Sequence, residues 1–189
     1  MRRLLRRILR RLLRLVEPPP ASPHDTSATI ERLRARGVRI GENCAIYTEF
    51  FSTEPYLVSI GNHVGISGGV KFMTHDGSAW LMRDEHPKRQ ALGTIIVGDN
   101  TFIGENSLIL CGTSIGTNCI IGAGSVVRGR IPDNSLVIGN PGQIAGRASL
   151  FIEMLRQGAN SLDTLGMDEG ARRDLLLGHF GLKPAGEQP

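Results

Sequence analysis

The most regular feature of the chain is a run in which an aliphatic residue returns at every sixth position. Within residues 97–131 this residue is often followed by glycine, and a small residue stands four places after it until Ile131 breaks the pattern. An α-helix repeats about every 3.6 residues and a half-buried strand about every two, so neither explains a period of six. Short fixed periods belong to repeats that bury their apolar faces by stacking, and this one predicts a hexapeptide β-helix. The aliphatic positions are Val97, Ile103, Ile109, Ile115, Ile121 and Val127.

The same period begins further upstream, at Ile40, and is interrupted twice. The distance from Ile46 to Ile60 is 14 residues and that from Phe72 to Val97 is 25, so neither is a multiple of six. Both stretches therefore contain irregular segments. The polar, charged and aromatic residues of the longer one predict a protruding loop over residues 76–94. Irregular segments on a rigid scaffold are where binding and catalytic residues tend to lie.

Different patterns flank the repeat and divide the chain into four predicted parts. Residues 1–16 predict a helix, and residues 17–36 predict a proline-rich linker with a short helix that ends near Gly37. The predicted β-helix covers residues 37–147. The aliphatic spacing in residues 148–189 predicts a helical extension, which we expect to cap the open end of the stack because terminal repeats need a polar outer surface.

Arginine and aliphatic residues alternate in short groups along residues 1–16, so a helix there would separate them onto two faces. The segment has seven arginines, no acidic residue and no apolar run longer than two residues, which excludes a membrane span and a signal peptide. A basic amphipathic helix suits an anionic membrane surface, and we expect a cytoplasmic protein bound peripherally to the membrane. A helix packed on this protein or on a partner, and an arginine-rich transit peptide, are the alternatives.

Charge and cysteine content narrow the class of protein. The whole chain carries a net charge of +4, but the part outside residues 1–16 carries −3, so the body of the protein is a poor match for nucleic acid. A hydrophobic content of 40% and a charged content of 21% fit a soluble globular protein. Cys44 and Cys119 fall at the small position of the repeat, which predicts reduced thiols in the core. The sequence assigns no role to Cys111.

With the period, the loop and the stretch IGAGSVVRGRIPDNSLVIGNPG at residues 121–142, the chain resembles the hexapeptide-repeat acyltransferases over residues 37–147. More narrowly, FFSTEPYLVSIGNHV at residues 50–64 and FMTHDGSAW at residues 72–80 resemble the sugar O-acetyltransferases. That branch includes galactoside and maltose acetyltransferases and enzymes that modify capsule or lipopolysaccharide. The resemblance implies a mainly β fold, a left-handed parallel β-helix of triangular section. It also implies a homotrimer in which acetyl-CoA lies between neighbouring subunits.

Acetyl transfer to a sugar hydroxyl needs a base for the hydroxyl proton and donors for the developing oxyanion. A neutral imidazole is a suitable proton acceptor, and the resemblance matches the family's histidine to His75 in MTHDG. This residue stands where the period ends and the loop begins, although a histidine in a loop can also be an ordinary surface residue. The other histidines lack this context: His24, His63, His86 and His179.

Several residues of the two interruptions are candidates for orienting His75 or for binding the acceptor. Asp76 could orient the imidazole or contact the sugar, although a backbone carbonyl could also orient the ring. A sugar ring could stack on Trp80, but this side chain could instead pack against a neighbouring subunit. The other acceptor candidates are Glu54, Arg83 and Glu85.

The resemblance implies that the pantetheine arm of acetyl-CoA passes small residues of the coils and that basic residues near the end of the β-helix meet its phosphates. Small residues permit a close approach to a ligand, although glycine also permits the tight turns of the coils themselves. Relatives usually carry Thr or Ser after GSVV, where this chain has Arg128. The implied donor-binding residues are Phe102, Gly104, Ala123, Gly124, Arg128, Arg130 and Arg147.

Three other functions compete with glycan O-acetylation. Zinc carbonic anhydrases share the fold, but they need three histidines with two of them in an H-x-x-x-x-H arrangement, and no pair in this chain has that spacing. We therefore expect no metal. A nucleotide-sugar N-acetyltransferase and a non-catalytic trimeric scaffold stay open. The sequence predicts an acetyl-CoA-dependent O-acetyltransferase that acts on a sugar hydroxyl of capsule, lipopolysaccharide or a lipid-linked precursor.

Overall fold

The strands between residues 39 and 147 form a three-faced parallel β-helix. The computed structural model of the chain describes residues 25–183. The predicted amphipathic helix of residues 1–16 and the first part of the predicted linker lie outside the described residues, as do residues 184–189. Successive strands of each coil visit the three faces in turn, and the strand pairs within the faces are parallel except for the last pair on the second face.

The faces are built from short strands that stack in register from one coil to the next. The first face contains Arg39–Ile40 (β1), Val58–Ile60 (β3), Ile95–Val97 (β8), Ser114–Ile115 (β11) and Arg130–Ile131 (β14). The second contains Ala45–Ile46 (β2), Gly65–Ile66 (β4), Phe102–Ile103 (β9), Ile120–Ile121 (β12), Ser135–Ile138 (β15) and Gln143–Arg147 (β16). The third contains Lys71–Met73 (β5), Leu108–Leu110 (β10) and Val126–Val127 (β13).

The side-chain pattern of each coil explains why the sequence folds in this way. The aliphatic residue that returns at every sixth position points into the β-helix, and Ile103, Ile109 and Ile121 have no exposed surface. The small residue four places later is also buried, and its polar group bonds to backbone carbonyls, as the Ser107 hydroxyl does to Gly122 O at 3.1 Å. Larger side chains would not fit there, because stacked coils pack at the density of a protein interior. One period of six thus corresponds to one face of the β-helix.

The break in the pattern at Ile131 reflects a shortened corner. Strand β14 pairs with β11 so that Ile131 lies beside Ile115, and Ile131 therefore occupies a buried aliphatic position of the first face. The chain reaches this position only four residues after Val127. It turns through Gly129, whose φ of +80° glycine adopts without steric cost. The short turn leaves Arg128 at the corner between the third and first faces.

The two cysteines at the small position lie in or beside the core, as predicted. Cys119 is 1% exposed and Cys44 is partly buried, and their thiols donate to Pro132 O and Gly61 O, each at 3.2 Å. Burial raises the pKa of the Cys119 thiol, which keeps it protonated. Cys111 is partly exposed, and all three thiols are free.

The first predicted interruption lies where the first coil would form its third face. Residues 47–54 form no strand or helix, and Phe51 fills the space by stacking on Phe72 of β5 with 4.5 Å between the ring centroids. Phe51 has no exposed surface. A 3-10 helix at Pro55–Leu57 then returns the chain to the first face. The irregular segment is therefore anchored by the core although it has no strand partner.

The second interruption is the predicted loop, which leaves the β-helix between the third and first faces. His75–Asp76 (β6) pairs antiparallel with Ala91–Leu92 (β7) and closes the neck of the loop. A 3-10 helix covers Gly77–Met82. Strands β3 and β8 pair directly past the loop, with Ile60 beside Val97. The insertion therefore leaves the stacking of the coils intact.

Within residues 25–183, three α-helices precede or follow the β-helix along the chain. Ser27–Ala35 (α1) lies where the short helix before Gly37 was predicted, and Ala148–Gln157 (α2) and Glu169–His179 (α3) form within the predicted helical extension. The chain divides into two compact units that meet between residues 151 and 152, and the capping role of the extension stays a prediction. Across residues 25–183, none of the helices has the length and apolar character needed to cross a bilayer.

Candidate active site

The two interruptions of the β-helix meet around the imidazole of His75. Its Nδ1 lies 3.2 Å from Oε2 of Glu54 and 3.2 Å from Oγ of Ser52, and both of these residues belong to the first interruption. The hydroxyl of Thr53 lies slightly further from the same nitrogen, at 3.4 Å. Three consecutive residues of the first interruption thus surround a ring nitrogen from the neck of the second.

The fold fixes His75 because this residue stands at the neck of the loop. Its backbone pairs with Leu92 across the β6–β7 ladder, and it follows Thr74, which is fully buried directly after β5. The Thr74 hydroxyl donates to Oε2 of Glu54 at 2.7 Å, so one carboxylate oxygen contacts two consecutive residues of the loop neck. The side chains of His75 and Glu54 are 34% and 14% exposed, so solvent reaches the ring but reaches little of the carboxylate.

The hydrogen bonds at Glu54 determine which nitrogen of His75 carries the hydrogen. The Thr53 hydroxyl, at 2.7 Å, is the main cause of a lowered pKa of Glu54, and Thr74 and His75 lower this pKa further against the opposing effect of burial. Glu54 is therefore a carboxylate at neutral pH, and a carboxylate only accepts hydrogen bonds. A neutral imidazole can form a hydrogen bond to this carboxylate only if Nδ1 carries the hydrogen, which leaves a lone pair on Nε2. This nitrogen can take a proton from a bound hydroxyl group, and Glu54 can stabilise the imidazolium that results.

The carboxylate of Asp76 contacts different partners. Its Oδ1 accepts the backbone N–H of Ser78 at 3.0 Å and caps the 3-10 helix of the loop, and its Oδ2 lies 3.3 Å from Nη2 of Arg128. The bond from Ser78 is also the main cause of the lowered pKa of Asp76. Of the carboxylates predicted for the site, Glu54 lies at the imidazole of His75, whereas Asp76 joins the loop to the corner after β13.

The other acceptor candidates lie along the exposed part of the loop. Trp80 is 63% exposed, and its neighbours Leu81 and Met82 are 80% and 38% exposed, so the loop presents an apolar surface. Arg83 and Glu85 follow directly and are also exposed. In the part of the chain that the structure describes, no hydrogen bond joins these side chains to the imidazole, and acceptor binding by them stays a prediction.

The four uncharged residues predicted to bind the donor lie on or beside the second face. Phe102, which is 48% exposed, lies on its outer surface, and Ala123 and Gly124 are exposed at the corner that follows β12. Gly104 occupies the same corner one coil earlier but is buried, and a Cβ there would lie 2.5 Å from the backbone nitrogen of Ala123. Glycine at position 104 is therefore required by the stacking of the coils, whatever else it does.

The predicted basic contacts to acetyl-CoA are exposed but lie in two places. Arg128 and Arg130 lie at or beside the corner that also carries His75, and Arg147 ends β16. His75 stands at the corner between the third and first faces, whereas Gly104 stands at the corner between the second and third. A single chain therefore keeps the predicted base apart from the small residues predicted to meet the pantetheine arm.

The period of six does not point to three hydroxyl residues of the site: Ser52, Thr53 and Thr74. The period of six describes only residues inside the coils, and these residues lie in or beside the interruptions. Ser52 precedes His75 by 23 residues and Glu54 precedes it by 21, so no short-range pattern links them. Across residues 25–183 there is no group of three or more His, Cys, Asp or Glu residues that could hold a metal ion.

Comparisons with known proteins give four similarities. Residues 94–129 match the family described as bacterial transferase hexapeptide, six repeats. The chain is 46% identical over 153 residues to Protein CapG of Staphylococcus aureus, which covers 79% of this chain and 88% of CapG. It is 44% identical over 50 residues to the putative lipopolysaccharide biosynthesis O-acetyl transferase WbbJ of Escherichia coli K12, but this stretch spans only 26% of either protein. The crystal structure of a hexapeptide-repeat acetyltransferase from Vibrio cholerae shares the fold, with a TM-score of 0.55 and 21% identity over 66% of this chain and 81% of that one.

Proposed function

Because the chain belongs to the hexapeptide-repeat acyltransferases, we propose that it transfers an acetyl group from acetyl-CoA to a sugar hydroxyl of a glycan, with His75 as the general base. The acceptor class is capsule, lipopolysaccharide or a lipid-linked precursor. The observation that carries the proposal is the contact between Glu54 and Nδ1 of His75, which leaves Nε2 as a proton acceptor beside the loop. The similarity to WbbJ, named as an O-acetyl transferase, supports an oxygen acceptor.

In the proposed reaction His75 transfers one proton, and the acetyl group moves from the sulfur of CoA to the sugar oxygen. Nε2 takes the proton of the sugar hydroxyl while the hydroxyl oxygen attacks the thioester carbonyl. The carbon–sulfur bond breaks as the tetrahedral intermediate collapses, and the imidazolium returns the proton to the departing CoA thiolate. Glu54 holds the ring in the Nδ1–H tautomer at the start and the end of the reaction and stabilises its charged form in between.

We further propose that two copies of the chain share the acetyl-CoA site within a homotrimer. The support is the separation of the two corners, because His75 and Gly104 lie at different edges of the triangular β-helix. Packing one edge against the other edge of a neighbouring copy would bring the exposed Ala123 and Gly124 opposite the imidazole. The proposed contacts with the rest of acetyl-CoA are those predicted from the sequence: Phe102, Arg128, Arg130 and Arg147.

Turnover of acetyl-CoA by the full-length protein tests the proposed function. CoA release is followed with hydroxyl sugars, amino sugars and isolated glycans, and the acetylated product is identified by its mass. Alkaline hydroxylamine then distinguishes an acetyl ester, which it cleaves, from an acetamide, which it leaves intact. We expect a hydroxylamine-sensitive product. A resistant product would identify an N-acetyltransferase instead, and the absence of any product would favour a non-catalytic scaffold.

We also propose that residues 1–16 hold the protein on the cytoplasmic face of a membrane, close to lipid-linked glycans. The support is the sequence, in which seven arginines alternate in short groups with aliphatic residues and no acidic residue is present. Near an anionic lipid surface each arginine contributes about 1 kcal/mol of binding free energy, and the aliphatic residues add burial in the interface.

Deletion of residues 1–16 should release the protein from vesicles that contain phosphatidylglycerol, while turnover with a soluble sugar stays unchanged. Co-sedimentation measures the binding, and zwitterionic vesicles serve as the control because they lack the charge that attracts arginine. High salt should also weaken the binding of the full-length protein, since exposed charges are screened. Binding to anionic vesicles that survives the deletion would contradict the proposal.

A further inference from the structure

The segment that surrounds Nδ1 of His75 is the least regular part of the β-helix. Residues 47–54 form no strand or helix, and Ser52 has a φ of +50°, a left-handed conformation that serine rarely adopts. A backbone in this conformation persists only where the surrounding contacts over-determine it. The atoms of Ser52, Thr53 and Glu54 around the imidazole therefore depend on whatever anchors this segment.

One anchor is the core of the β-helix. The ring of Phe51 stacks on Phe72, and the carbonyl of Phe50 accepts the backbone N–H of Phe72 at 3.0 Å. The hydroxyl of Thr48 donates to Val70 O at 2.8 Å. These contacts fix the centre of the segment and its beginning. They leave the carbonyls of Glu49 and Ser52 for contacts with α1.

The second anchor is α1. Nη1 of Arg36, at the C-terminal end of this helix, donates to Glu49 O at 3.0 Å, and its Nη2 donates to Ser52 O at 3.5 Å. Arg32 lies one turn earlier on the same face and donates to Oε1 of Glu49 from Nη2 at 2.6 Å and from Nε at 3.0 Å. The fork of the Arg36 guanidinium therefore bridges the backbone on both sides of Phe51, next to the residues that contact the imidazole.

We propose that Arg36 is a positioning residue for the reaction. Arg36 holds the carbonyls of Glu49 and Ser52. It thereby keeps the side chains of this segment in the positions that fix the Nδ1–H tautomer of His75. The inference rests on the proposed role of His75 as the base. It gives α1 a part in catalysis, although the hydrogen bonds of Arg36 reach only backbone carbonyls. Lysine should replace Arg36 only in part, because an ammonium group keeps the charge but has no fork to span two carbonyls.

Arg34 provides a matched control on the same helix. Its Nη2 donates to Ile40 O at 2.9 Å and to Gly41 O at 2.8 Å, at the end of β1. Like Arg36, it is exposed and ties α1 to two backbone carbonyls of the β-helix. Its partners lie outside the segment that contacts the imidazole. Arg34→Met and Arg36→Met should therefore lower the unfolding temperature to a similar extent, whereas only Arg36→Met should disturb His75.

Nitrogen-15 NMR of the histidine rings in the full-length protein tests the inference, with His75→Gln used to assign the signal. The nitrogen chemical shifts of a neutral imidazole report the ratio of its two tautomers. We expect the Nδ1–H form in the natural protein and in Arg34→Met, a mixture of both tautomers in Arg36→Met, and an intermediate mixture in Arg36→Lys. In turnover assays Arg36→Met should lower kcat by about tenfold and leave the KM for acetyl-CoA unchanged, because a small displacement of a reacting group is costly.

An unchanged tautomer ratio in Arg36→Met would overturn the inference, and so would an equal disturbance of the ratio in Arg34→Met. If Arg36→Met does not fold, Arg36→Lys gives the same comparison, with a smaller shift of the ratio expected and an unchanged ratio counting against the inference. The NMR measurement needs no substrate. It therefore tests Arg36 even if the protein transfers no acetyl group, and the two failures can be told apart.

Discussion

Replacing His75 by alanine should lower kcat for acetyl transfer by about 10²–10⁴-fold, the range expected when a general base is removed. Without the imidazole, the carboxylate at this position is a weak base, because the hydroxyls of Thr53 and Thr74 lower the pKa of Glu54. The KM for acetyl-CoA should change little, since the imidazole acts in the transition state more than in binding. CoA release at saturating acceptor measures the effect.

Two companion variants sharpen this test. His63→Ala removes an exposed histidine that bonds to Asn100 at 2.7 Å on another corner of the β-helix, and it should retain full activity. Glu54→Gln presents an amide that can donate as well as accept, so the tautomer of His75 is no longer fixed, and we expect a smaller loss than for His75→Ala. A loss of less than about tenfold in His75→Ala would exclude this residue as the base.

Replacing Gly104 by alanine should lower the free energy of unfolding by about 3 kcal/mol, the upper end of what an overfilled site costs. The added Cβ would lie 2.5 Å from the backbone nitrogen of Ala123 and 2.9 Å from its Cα. Neither atom can move unless the coils that contain β9 and β12 separate. The hydrogen bond from Gly104 N to Ile121 O, at 2.8 Å, joins the same coils and would lengthen. Denaturant unfolding at a fixed protein concentration measures the change.

Gly68 is the matched control for this substitution. It lies at the same kind of corner in the preceding coil, but a Cβ there would meet no atom within 4 Å. Gly68→Ala should leave the free energy of unfolding unchanged or raise it by up to about 1 kcal/mol, because alanine restricts the unfolded chain more than glycine does. Equal unfolding free energies for the two variants would show that the coils do not approach closely at Gly104.

The β-helix could be predicted because each coil repeats the same short-range pattern. Ile46 and Phe72 are the last regular positions before the two interruptions, and the chain leaves the coils where the residue count stops being a multiple of six. The hairpin of β15 and β16 could not be predicted in this way. Its second strand returns antiparallel along the second face, and its residues are exposed, so the inward pattern is missing.

The candidate site could be predicted only in part, because the period says nothing about distances through irregular segments. The family resemblance pointed to His75, but Glu54 was grouped with the acceptor residues, whereas its carboxylate lies at the imidazole. That contact depends on two irregular segments closing on the same corner, held there by Phe51 and Arg36, and neither residue has a local signature. Gly104 shows a second limit, since a glycine that permits stacking looks the same in a sequence as one that admits a ligand.

The direct pairing of β3 with β8 separates selection for folding from selection for what the loop contains. Because the coils on either side of the loop stack as if it were absent, and the pair of His75 with Leu92 closes its neck, the frame does not depend on what residues 77–90 contain. Changes of length and composition there can accumulate without loss of folding, while the imidazole stays in place. Under the proposed function, a chimaera that exchanges this loop is the natural route to a transferase with an altered acceptor.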